Sequence, residues 1–73
     1  MKVYKANGCK PCSKLAEYIS NNNLEVPTEV ITFDSLRRGD YPFSTVPSLV
    51  LDDGSVISGF LQIRIKLSQS KQL

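Results

Sequence analysis

The stretch Lys2-Val3-Tyr4-Lys5-Ala6-Asn7-Gly8-Cys9-Lys10-Pro11-Cys12 passes from a strand pattern into a helix pattern at a pair of cysteines. Residues 2–6 predict a short strand, and Asn7-Gly8 predicts a loop. From Lys10 to about Asn21, Cys12, Leu15, Ala16 and Ile19 fall at i, i+3, i+4 and i+7, which is one helical face. Ser13, Lys14 and Glu17 take the other side. Pro11 suits a first helical turn, where a missing N–H costs nothing. Asn21-Asn22-Asn23 predicts the stop.

Beyond that helix, Thr28 to Phe33 is rich in β-branched residues and predicts a second strand. Asp34 to Thr45 reads as a connector with a short helix near Ser35–Arg38. Pro47 begins a third strand, Ser48-Leu49-Val50-Leu51, and Asp53-Gly54 predicts a tight hairpin turn into Ser55–Ser58. Gly59 breaks the pattern. The segment 60–73 carries two periods. Phe60, Ile63 and Leu67 suit a helix, whereas Leu61, Ile63, Ile65 and Leu67 alternate with polar residues as in a strand. The absence of Gly and Pro, and a length beyond that of a typical strand, favour the helix.

Cys9 and Cys12 carry the chemistry. A thiol attacks as thiolate, and a free cysteine has a pKa of about 8.5. A cysteine at a helix N-terminus faces unpaired N–H groups and the positive end of the helix dipole, and Lys10 adds positive charge. Two intervening residues bring the second sulfur within a turn of the first, so it can attack a mixed disulfide and release the reduced product. Cys9, ahead of the helix, is expected to be exposed and to be the nucleophile. Cys12, on the apolar face, is expected to be buried and to be the resolving thiol.

Composition narrows the alternatives. Seventy-three residues make one domain, 1–73, and 41% hydrophobic residues with a net charge of +2 fit a folded globular chain. The basic residues are scattered, which points to no nucleic-acid partner. No run of signal-peptide or membrane-spanning length occurs, so the expectation is a cytoplasmic protein with no membrane partner. In a reducing compartment a cysteine pair suggests redox chemistry or metal binding. With no His and one pair, a closed zinc site would need two copies of the chain. A structural disulfide across so small a loop constrains little. A soft-metal carrier of copper-chaperone type is the stronger rival, favoured by the strand-like period at 61–67.

The cysteine pair after the first strand, Val46-Pro47 at a later strand, the Asp53-Gly54 hairpin and Gly59 before the last segment together resemble the thioredoxin/glutaredoxin superfamily. The resemblance spans nearly the whole chain. It implies a minimal α/β thioredoxin fold: a four-stranded mixed sheet, helices on both faces and a shortened middle helix. It also implies that Pro47 is cis and lies against the cysteines, although an X–Pro bond taken alone is cis in only about 5–6% of cases. Without the resemblance, Pro47 would be an ordinary proline at the start of a strand. Val46 would offer backbone hydrogen bonds to an incoming peptide or glutathione, with Lys10, Pro11, Thr45 and Gly59 completing the substrate site.

Within the superfamily, Thr45-Val46-Pro47 and the short length resemble glutaredoxins, and Lys10-Pro11 is nearer to thioredoxin. Ser58-Gly59-Phe60 resembles the NrdH-redoxins, without their preceding Trp or following Arg-Pro. Gly8 stands where thioredoxin has Trp, and the second Gly or Asp of the glutaredoxin glutathione site is missing near Gly59-Phe60. Such compact forms occur among phage-encoded redoxins. The resemblance implies dithiol–disulfide exchange on protein disulfides by a monomer. Ribonucleotide reductase is an expected target. Thioredoxin reductase or glutathione is the expected reductant, glutathione being a co-substrate and no cofactor being held. A thioredoxin-fold interaction module with idle thiols is the non-enzymatic alternative. The buried acid of thioredoxin has no clear equivalent; Glu29 and Asp34 are the nearest candidates, and Lys5 or water could serve resolution instead. Tyr41, Pro42 and Phe43 could form a docking rim near Pro47, or Phe43 could plug the core.

Overall fold

The computed structural model describes residues 1–71. Seven elements follow in order: β1 (Lys2–Ala6), α1 (Lys10–Asn21), β2 (Thr28–Ile31), α2 (Phe33–Arg37), β3 (Ser48–Val50), β4 (Val56–Ser58) and α3 (Phe60–Lys71). The strands form one sheet in the order β2-β1-β3-β4. β1 and β2 are parallel, as a strand–helix–strand crossover requires. β3 runs antiparallel to β1 and to β4. This is the expected mixed sheet.

Strand alternation sorts the side chains. Val3, Leu49 and Ile57 lie side by side across three strands, so they share one face. Val3 and Leu49 are buried there with Leu15 of α1 and with Ile63 and Leu67 of α3; Tyr18, Ile19, Leu24, Val26, Leu51, Ile57 and Phe60 pack around this core. Truncating a fully buried Leu such as Leu15 to Ala would cost about 2–5 kcal/mol, a large share of the about 4–11 kcal/mol expected of a chain this long. Tyr4 lies on the opposite face, where the loop after α2 stacks Tyr41 and Phe43 against it, with ring centroids 5.0–5.7 Å apart. Phe43 is buried and Tyr41 half-buried, so Phe43 is a core plug rather than an exposed docking rim.

The end of each element has a local cause. α1 ends at Asn21 with Asn22 as its cap, and Asn23 turns the chain with φ 52, a conformation Asn tolerates. β2 stops at Ile31, two residues short of the expected strand, because Thr32 caps a helix instead: its hydroxyl oxygen accepts the Ser35 N–H at 3.1 Å. The expected short helix at 35–38 is therefore α2 at 33–37. β3 and β4 each lack the residue nearest the turn. Leu51 and Ser55 belong to the turn, where the Leu51 N–H donates to the Ser55 carbonyl at 2.8 Å.

α3 settles the double period of the last segment in favour of the helix, and residues 72–73 of that expectation lie outside the described residues. Residues two apart on a helix sit about 200° round from one another. Ile63 and Leu67 thus face the core while Leu61 and Ile65 face solvent. An apolar residue at every second position fills two opposite stripes and imitates a strand. The feature that favoured a copper carrier is therefore a property of a helix.

Candidate active site

The site forms at one end of the sheet, where β1 and β2 finish and β3 begins. Gly8 turns the chain out of β1 with φ 83, a left-handed conformation that suits a residue without Cβ. Cys9 then caps α1. Its sulfur accepts the N–H of Cys12 at 3.2 Å, and its carbonyl accepts the N–H of Ser13 at 3.1 Å. Lys10 and Pro11 are exposed in the first turn, and that turn holds no acidic residue. The cysteines form a disulfide with their Cα atoms 5.2 Å apart.

Their burial differs in the expected sense. Cys12 is 2% exposed, packed on the α1 face that carries Leu15. Cys9 is half-buried rather than fully exposed, because its sulfur lies 3.7 Å from the carbonyl oxygen of Val46. That contact joins two segments 37 residues apart in the chain.

The Val46–Pro47 peptide bond is cis. Val46 is half-buried, Pro47 is buried, and Thr45 is exposed at the rim. The Gly59 N–H donates to the Pro47 carbonyl at 3.1 Å, and the Gly59 carbonyl accepts the Ile63 N–H at 3.1 Å. Gly59 therefore belongs with Pro47 and starts α3; its φ of 94 again favours glycine. The Cys9–Val46 contact brings Cys9, Cys12, Val46 and Pro47 to one place; Lys10, Pro11 and Thr45 flank them along the chain, and Gly59 joins through its hydrogen bond to Pro47.

Two serines complete the support of the proline loop. The Ser48 hydroxyl, fully buried, donates to the Thr45 carbonyl at 2.6 Å. Its only proton is thereby used, so the Ser58 hydroxyl donates to the Ser48 oxygen at 3.0 Å. The available signal was a serine opening an otherwise apolar strand, with a second serine at the matching place across the hairpin.

The two carboxylates considered as a buried acid lie elsewhere. Glu29 shares the Tyr4 face of the sheet and accepts from Lys2 at 2.8 Å, which raises the Lys2 pKa above its ordinary value. Asp34 is exposed and pairs with Arg37. Lys5, by contrast, lines two cavities that Cys12 also lines.

The arrangement supports thiol–disulfide chemistry: an accessible sulfur at a helix start, a second sulfur one turn behind it, and a backbone edge at Val46 beside the first. Two solved structures are similar. The thioredoxin-like protein BC3987 shares 32% identity over 93% of this chain and 94% of its own, with a TM-score of 0.62. A mutant of that same protein shares 32% identity over 93% of each chain, with a TM-score of 0.61. No family model and no curated protein matches.

Proposed function

This chain belongs to the thioredoxin-like proteins, and we propose that it reduces protein disulfides by dithiol exchange. Its kind of function is that of a thiol–disulfide oxidoreductase. The observation that carries the finer reading is the 3.7 Å approach of the Cys9 sulfur to the Val46 carbonyl. It puts the accessible sulfur beside a stretch of backbone able to hold an extended substrate.

In the reduced protein, Cys9 at the α1 N-terminus is the thiolate, favoured by the unpaired N–H groups there. It attacks one sulfur of the substrate disulfide. The substrate's other sulfur leaves as thiolate, and a mixed disulfide forms. Cys12 then attacks the Cys9 sulfur. The Cys9–Cys12 bond forms, the remaining substrate sulfur leaves, and two electrons have passed to the substrate. The backbone of Val46 holds the substrate chain, with Lys10, Pro11, Thr45 and Gly59 at its edges. The reaction needs no metal or organic cofactor.

The proposed setting is a monomer in the cytoplasm, with protein disulfides such as that of ribonucleotide reductase as targets. Thioredoxin reductase or glutathione is the proposed reductant. Thioredoxin reductase is favoured, since the second Gly or Asp of the glutaredoxin glutathione site is missing near Gly59-Phe60.

The test is turnover of a protein disulfide by the unmodified chain and by Cys9→Ser. Turnover lost in Cys9→Ser supports the reading; equal turnover by both overturns it and leaves an interaction module. Supplying either glutathione or thioredoxin reductase with NADPH identifies the electron source. One equivalent of Cu(I) held tightly by the monomer, without turnover, would restore the metal-carrier reading.

A further inference from the structure

Cys12 lies between two cavities, and Lys5 lines both of them. One, of about 220 Å³, lies under α1 and is walled by Val3, Leu15 and Ile19. The other, of about 260 Å³, opens beside the Asn7-Gly8 loop and Ser13. Lys5 is half-buried on β1, on the sheet face that carries Val3, while Cys12 is 2% exposed.

Lys5 is the only charged side chain among the described residues that line either cavity. From α1, the walls beside Cys12 are Ser13, Leu15, Ala16, Ile19 and Ser20; Lys10, Lys14 and Glu17 of that helix are exposed. From β2 the wall is Thr28, and Glu29 belongs to the other face, paired with Lys2. No carboxylate among the described residues pairs with Lys5.

A thiol in apolar surroundings resists ionisation, since burial disfavours the thiolate. Cys12 must nevertheless become one to close the cycle. We propose that Lys5 is the charge partner of the resolving thiol, its ammonium group stabilising the Cys12 thiolate as it attacks the mixed disulfide. The proposal rests on the dithiol-exchange reading. In the step, the Cys12 S–H bond breaks and its proton passes to water through the cleft beside Asn7-Gly8. The Cys12–Cys9 bond forms, the bond from Cys9 to the substrate sulfur breaks, and that sulfur leaves with the electron pair. Lys5 keeps its proton throughout. It is a positioning residue that supplies by charge what a buried acid would supply by proton transfer.

The two attacks can be timed separately with a nitrobenzoate disulfide, which releases one coloured thiolate when Cys9 attacks and a second when Cys12 resolves. The Cys12→Ser variant marks the first release alone. In Lys5→Gln the second release is expected to slow about tenfold at pH 7, with its pH midpoint about one unit higher, the scale set by a nearby opposite charge. The first release keeps its rate, which also shows that the variant is folded. Lys5→Arg is expected to restore most of the second rate. A second release unchanged in rate and midpoint, or both releases slowed together, overturns the proposal. An unmodified protein that releases no thiolate overturns the exchange reading itself.

Discussion

The hydroxyl of Ser48 donates to the carbonyl of Thr45 at 2.6 Å, bridging the two sides of the Val46–Pro47 bond from a fully buried position. Ser58, on the neighbouring strand, donates to the Ser48 hydroxyl oxygen. The segment facing Cys9 is therefore held from within the sheet. Removing one partner of a buried hydrogen bond costs about 1–3 kcal/mol. Ser48→Ala should lower the melting temperature by about 4–8 °C per kcal/mol for a domain of this size. Ser58→Ala should cost less, because Ser58 is exposed and water can replace it. Thermal unfolding followed by circular dichroism checks both.

Gly59→Ala isolates the conformational requirement at the start of α3. An added Cβ would meet nothing within 4 Å, so no clash contributes. The cost comes from placing a side chain at φ 94, and about 1–2 kcal/mol is expected. Gly59→Asn should cost less than Gly59→Ala, since Asn tolerates the left-handed region better. Equal urea midpoints for all three proteins would contradict this.

The two cysteines should behave differently under trapping. Cys12→Ser, mixed with a disulfide-bearing protein, should accumulate a covalent adduct visible by mass spectrometry, because nothing resolves the Cys9 bond. Cys9→Ser should form little, because Cys12 is buried.

Asp53 shows a pH dependence whose sign can be worked out. Its carboxylate accepts the Ser55 N–H at 2.9 Å in the hairpin turn. That hydrogen bond holds its pKa below the ordinary 3.8. A carboxylate with a depressed folded pKa stabilises the protein above its unfolded pKa, and the stabilisation fades as pH falls through the folded value. The Asp53 resonance should titrate below 3.8 by NMR. In Asp53→Asn, the part of the acid-induced stability loss due to this residue should vanish.

Phe43→Ala should be severe. Phe43 is 7% exposed and stacks on Tyr41 with planes 10° apart. Removing a buried phenyl ring costs about 3–5 kcal/mol, a large share of the about 4–11 kcal/mol expected of a chain this long. Phe43→Leu should be much milder. Chemical unfolding at neutral pH distinguishes them.

Local patterns revealed much of this molecule. Helix α1 was readable from Leu15 and Ile19, because an amphipathic helix over a sheet displays its period directly. The cysteine pair stood out because its spacing and its place after β1 are both sequence features. Thr32 caps α2 where the sequence predicts strand, because a threonine serves a strand and a helix cap equally well and only the partner N–H of Ser35 decides. The approach of Cys9 to Val46 is long-range. No local period encodes it, and only the resemblance to known redoxins suggested it. Ser48 and Ser58 escaped notice for the same reason: their meeting depends on hairpin register, and a lone serine ordinarily signals a turn or a solvated face. Lys5 is named by the sequence as an aid to resolution only because a buried acid is missing; that it shares a covered face with Cys12 depends on which side of β1 the helix packs, which charge counts do not tell.

The lacing of Pro47 to Gly59 and of Ser48 to Ser58 closes the base of the β3–β4 hairpin. The contact of Cys9 with Val46 lies on the near side of that closure, and the Asp53-Gly54 tip lies on the far side, exposed. The tip is thus an exposed handle on a fixed hinge pin, with Asp52 beside it paired to the N-terminal ammonium. New residues inserted there, whether a longer loop or a recognition segment, would change what the domain docks against and leave its chemistry in place.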